Sequence, residues 1–184
     1  MTDTKSVPRT LFLLGKTSSE SPVDSRAGKY LVFDLGREEY GIRVAQVREI
    51  TGLQNVTAVP HAPDHIKGVI NLRGKVIPVM DLRLKFGMPT VQFAERTCII
   101  VAQLQGAIRS GLMGIVVDGV AEVVSIAGND IEDTPKFGQG PAAPYLLGIA
   151  KIKGKVKILL DVDEMLSGRE LSPREGACGA GERG

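Results

Sequence analysis

The sequence predicts an all-β protein whose body is one pattern written twice, and three observations carry that reading. First, short apolar runs rich in Val and Ile alternate with tight turns along the whole body, the pattern of antiparallel strands in a sandwich or in small barrels. Second, helical periodicity is scarce. Third, two segments recur in the same order. "IKGVINLRGKVIPVMDL" (66–82) matches "LLGIAKIKGKVKILLDV" (146–162) without a gap, sharing Gly68/Gly148, Gly74/Gly154, Lys75/Lys155, Val76/Val156 and Asp81/Asp161. "YGIRVAQVREI" (40–50) matches "MGIVVDGVAEV" (113–123), sharing Gly41/Gly114, Val47/Val120 and Glu49/Glu122. Two ungapped matches in one order indicate duplication, so the body is expected to be two related β modules packed together. A barrel of few strands buries little apolar surface, and pairing two of them covers an open face.

The elements follow in chain order. Residues 1–28 carry Ser, Thr and Pro without sustained periodicity and read as a flexible arm, although "LFLL" (11–14) stands within it. From Lys29 the strand-like pieces are "KYLVFDL", "EYGIRV", "KGVINL", "KVIPVMDL", "TCIIVAQL", "LMGIVV", "YLLGIAKI" and "KVKILLDV". Turn residues separate them at Gly36, Arg73-Gly74, "QGAIRSG" and Lys153-Gly154. "VAQVREI" places Val44, Val47 and Ile50 three apart, which suits one or two helical turns. "DVDEML" starts with Asp161 and has Glu164 three residues later, a capped helical start. Asp81 occupies the duplicate of that position and is expected to cap or turn the chain. Residues 167–184 are Gly-rich and charged and read as a disordered tail.

Composition excludes several functions. The chain has 184 residues with 23 basic and 21 acidic side chains, a net charge of +2 that demands no polyanionic partner. Its two cysteines, Cys98 in an apolar run and Cys178 in the tail, are poorly suited to a disulfide, which fits a reducing compartment. The four-residue "LFLL" is shorter than a signal-peptide core of ~7–15 residues, and no stretch approaches the ~20 apolar residues of a membrane span. A cytoplasmic protein is expected, and the sequon at Asn55 is then an accident of composition. Small β-barrels that bind nucleic acid use stacked aromatics in a basic groove. Here aromatics are 4% of residues and Trp is absent, so that alternative is weak.

Catalysis finds no constellation. His61 and His65 are interrupted by Pro63 and have no cysteine nearby to complete a zinc site. "GAGERG" (179–184) matches a dinucleotide fingerprint in letters only, because no helix can follow it. No metal or cofactor is expected. Arg73 stands out instead, on a turn fixed by apolar runs on both sides. A guanidinium held there can offer its fork to a partner's carboxylate or carbonyl, and arginine is enriched among interface hot spots. Gly68 opens a strand, where a missing Cβ permits close approach of backbone or partner.

These motifs identify a family resemblance. "YLVFDLGREEYGIRVAQVREI", "IKGVINLRGKVIPVMDLRLKFG", "MGIVVDGVAEVVSI" and "YLLGIAKIKGKVKILLDVDEML" resemble the CheW-like domains of bacterial chemotaxis arrays, over residues 29–166. The resemblance implies two SH3-like five-stranded β-barrels around a shared core, with short helices and no enzymatic activity. It implies partners too: the regulatory domain of a CheA-type histidine kinase, itself of this fold, and the cytoplasmic tip of chemoreceptors. Carried over by motif, Arg73 and Gly68 in "KGVINLRG", and Val47 and Glu49 in "VRE", are the partner-binding residues. An adaptor of a non-flagellar signalling pathway is the alternative within the family. The stretch "QFAERTCIIVAQLQGAIRSGLMG" departs from the pattern, with Cys98 and a longer turn carrying Arg109.

Overall fold

A computed structural model describes residues 25–105, 110–134 and 143–166. Residues 1–24 of the arm, the tail with Cys178, and Arg109 lie outside these residues, while Gly28, the last residue assigned to the arm, opens β1. The strands are β1 (Gly28–Leu35), β2 (Glu38–Arg43), β3 (Val47–Gly52), β4 (Ile66–Leu72), β5 (Lys75–Asp81), β6 (Cys98–Gln105), β7 (Ser110–Val117), β8 (Gly119–Ile126), β9 (Ile131–Glu132), β10 (Leu146–Ile152) and β11 (Lys155–Leu160). Single-turn helices α1 (Leu82–Lys85) and α2 (Val162–Met165) follow β5 and β11.

Two sheets result, ordered β3-β6-β7-β5-β4 and β8-β1-β2-β11-β10-β9. Each is an SH3-like barrel, called here the Arg73 barrel and the Lys153 barrel after the residue at its hairpin tip. The repeats are not the barrels. The Arg73 barrel takes β3, β4 and β5 from the first repeat but β6 and β7 from the second. The Lys153 barrel takes β1 and β2 from the first and the rest from the second. The two related modules are therefore interlaced, each barrel being completed by strands of both repeats. Strands of different repeats meet in parallel at β5–β7 and β2–β11, and antiparallel at β3–β6 and β1–β8.

Alternation along the strands explains why their apolar runs are continuous. In β1, Tyr30 and Val32 point into the Lys153 barrel, while Leu31, Phe33 and Leu35 point into a core shared by both barrels. In β6, Ile99 and Val101 fill the Arg73 barrel, and Ile100, Ala102 and Leu104 join the shared core. A strand buried on both faces has no polar side to show.

The helical reading of "VAQVREI" is also corrected. Only Val44–Gln46 turns, as a 3-10 helix, and β3 begins at Val47. Pairing with β6 decides the matter, and a two-residue alternation replaces the three-residue step, with Arg48, Ile50 and Gly52 exposed. The capped starts are present in both halves. Asp161 Oδ1 accepts the amides of Asp163 and Glu164 at 2.9 and 3.1 Å. Asp81 Oδ1 accepts that of Arg83 at 3.0 Å. Arg83 then grips Asp118, beyond β7, with Nε and Nη2 at 2.8 and 2.6 Å, a two-pronged bond between repeats.

Candidate partner-binding surface

The β4–β5 hairpin closes on two residues, Arg73 (φ 52°) and Gly74 (φ 83°), with Leu72 opposite Lys75. Two positive φ angles define a type I′ turn, whose twist matches the strands it joins. Asn71 Oδ1 accepts the Gly74 amide at 2.9 Å and holds the turn. Arginine in this left-handed region costs roughly 1 kcal/mol, a strain that clusters at functional sites.

Glu49 meets Arg73 there. Its Oε2 lies 3.1 Å from Arg73 Nη2, and the arginine side chain is still 81% exposed. Glu49 is on β3 and Arg73 follows β4, the two edge strands of the same barrel. The ion pair therefore ties the barrel's edges and leaves most of the guanidinium facing outward. Exposed pairs contribute about 0–1 kcal/mol, so this one orients the arginine more than it stabilises the fold.

Gly68 and Val47 stand elsewhere. Gly68 lies five residues before Arg73, about 16 Å away along an extended strand. Its φ is 140°, and a Cβ there would sit 2.0 Å from the carbonyl oxygen of Thr57. The close approach allowed for at Gly68 is thus made by the chain's own backbone. Thr57 exchanges two 2.9 Å hydrogen bonds with Val69 beside it. Val47 is half-buried against the shared core and pairs with Ala102, across a bulge from Glu49. It sets where β3 begins.

The second barrel repeats the arrangement with different chemistry. Lys153 (φ 51°) and Gly154 (φ 79°) form the turn, and Lys153 Nζ is 3.6 Å from Glu122 Oε2. Glu122 and Lys153 are the counterparts of Glu49 and Arg73. Inside the barrel, Lys157 takes the place of Ile77 and is 2% exposed. Its ammonium bonds Glu39, its register partner on β2, and reaches Glu122 at 3.5 Å. Glu39 in turn takes the place of Leu112, which packs against Ile77's cluster. Hydrogen bonds from Lys155 and Lys157 hold the Glu39 carboxyl below its usual range. Sequence reading missed this network. Its visible signal was one lysine at a core-facing step of β11 and one acid at a core-facing step of β2.

The histidines sit apart from both tips. His61 turns the loop before β4 with φ 59°, and the His65 carbonyl accepts the Asp81 amide at 2.8 Å. Burial, with Lys85 nearby, lowers the His65 imidazole.

Two SH3-like barrels fused through interlaced repeats, each ending in an ion-paired hairpin tip, define a duplicated β-barrel interaction fold. The chain belongs to the CheW-like domain family, whose model matches residues 29–170. A chemotaxis protein CheW of Klebsiella aerogenes is 40% identical over 144 residues, which are 78% of this chain and 84% of that protein. Protein FrzA of Myxococcus xanthus is 30% identical over 126 residues, 68% of this chain and 76% of its own. Among solved structures, the scaffolding protein TtCheW of Thermoanaerobacter tengcongensis superposes with a TM-score of 0.69 at 33% identity. It covers 82% of this chain and 98% of its own.

Proposed function

We propose that this chain is a non-enzymatic adaptor that couples the cytoplasmic tip of chemoreceptors to the regulatory domain of a CheA-type histidine kinase. In that role it controls autophosphorylation of the kinase according to the receptor's state. The observation that carries this reading is Arg73, held outward on a strained turn by Glu49 with most of its guanidinium unspent. The names of relatives support it, chemotaxis protein and scaffolding protein among them. Glu49 serves as the positioning residue, Val47 anchors the strand that presents it, and Gly68 keeps the base of the β4–β5 hairpin in place. A cytoplasmic setting beside receptor arrays goes with this role. Among the described residues no helix is long and apolar enough to cross a membrane.

The test is a reconstitution of kinase, receptor-tip fragment and this chain, with calorimetric binding to each partner. Arg73→Ala should stay folded and lose receptor-dependent activation, because a hot-spot arginine contributes ~2 kcal/mol or more, roughly thirtyfold in affinity. Arg73→Lys should recover only part, since it lacks the planar fork. Full activation by Arg73→Ala would make the arginine a solvated turn residue.

A further inference from the structure

The Lys153 barrel differs from its twin in a way the ion pair at its tip does not explain. On its hairpin, Lys151, Lys153, Lys155 and Lys157 stand where the other hairpin has Asn71, Arg73, Lys75 and Ile77. Two acids answer these four cations, and Lys157 engages both. It bonds Glu39, which also takes Lys155 at 2.6 Å, and it lies 3.5 Å from Glu122, which also takes Lys153 at 3.6 Å. The buried lysine cannot release them, because an unpaired ammonium inside the barrel would be strongly unfavourable. The outer two can. Lys153 and Lys155 are 78% and 70% exposed, and leaving their acids strands no charge in the interior. Lys151 is exposed and has no ion-pair partner among the described residues. It lies directly opposite Val156 in the hairpin, so the two share a face, and Val156 is 50% exposed.

We infer that the end of the β10–β11 hairpin is a separate docking surface for an acidic protein segment. Lys151 and the tip residue Lys153 meet its carboxylates, and Val156, on the same face as Lys151, meets an apolar side chain beside them. The buried Lys157 is the device that makes this possible, since it keeps Glu122 satisfied while Lys153 turns to the partner. Charge complementarity fixes the sign of the occupant, and the exposed valine favours a polypeptide over a bare polyanion. This inference does not depend on Arg73 or on the adaptor role.

The isotope-labelled full chain, titrated with short poly-L-glutamate at low salt, tests it through backbone amide shifts. Shifts should concentrate on Lys151–Val156. Lys151→Glu/Lys153→Glu should weaken binding ~tenfold or more, and Lys151→Gln/Lys153→Gln by less, while Arg73→Glu binds as wild type does. Shifts spread equally over both hairpin tips, or a charge reversal without effect, would overturn it. Tighter binding to single-stranded DNA or to phosphatidylserine vesicles than to polyglutamate would overturn it as well, in favour of another polyanion.

Discussion

Arg73 and Glu49 join the two edge strands of one barrel at 3.1 Å, and Lys153 and Glu122 occupy the same two positions in the other. The duplication has preserved the opposite charges at each tip and changed only the cation. The planar, five-donor fork is confined to the first tip.

The pair can be separated from its presentation by exchange. Glu49→Arg/Arg73→Glu should restore the ion pair with the charges reversed and keep the melting temperature close to that of the unaltered chain. Partner binding should remain lost, because the outward charge is then negative. Recovery of kinase coupling by the exchanged chain would show that closing the barrel edge is all the pair does.

Gly68 should behave as a backbone residue. Any Cβ there meets Thr57 oxygen at 2.0 Å in a conformation side chains rarely adopt, so Gly68→Ala should cost about 2 kcal/mol or more. Gly148→Ala should also destabilise, with its Cβ 2.7 Å from the Glu132 carbonyl oxygen. Urea unfolding of both variants measures this. A wild-type midpoint for Gly68→Ala would mean that the Thr57 strand moves aside freely.

Lys157 and Glu39 form a unit. Glu39→Leu alone leaves a buried ammonium with only the more distant Glu122, and it should destabilise the fold by about 3 kcal/mol or more. Lys157→Ile/Glu39→Leu copies the apolar solution of the Arg73 barrel and should be neutral or stabilising. A double-mutant cycle by chemical denaturation reads the coupling. Additive losses would show that the two residues act independently.

Acid should unfold the protein through two carboxylates. The hydrogen bonds from Lys155 and Lys157 lower Glu39, and that from Arg83 lowers Asp118. A carboxyl depressed in the folded state contributes stability that is complete above its unfolded value, about 4. That contribution is lost as pH falls from there through the folded value. The contribution of these two carboxylates should therefore be flat from neutrality down to about pH 5 and fall below it. His65, lowered by burial, adds a decline that begins near its unfolded value of about 6.5. Asp118→Asn should be less stable at neutral pH and show a shallower acid limb. An unchanged limb would place the acid sensitivity elsewhere.

The sequence by itself determined the strands, the turns and the duplication, because each is written in local chemistry. Apolar β-branched runs, a glycine after each turn cation, and an aspartate before each short helix need no distant partner to be read. It also singled out Arg73 and Glu49 as separate motif residues. Only the tertiary structure brought them together, since they stand 24 positions apart with a change of strand between them. The same holds for β3, whose three-residue spacing suits a helix until β6 supplies a ladder of hydrogen bonds. Interlacing was invisible for a related reason. A repeat in sequence states which segments are alike, while parallel pairing of β2 with β11 and β5 with β7 states which segments meet. Lys157 shows the limit most plainly: a lysine in an alternating strand reads as solvated, and only the walls of a closed barrel, with Glu39 inside them, make it a buried one.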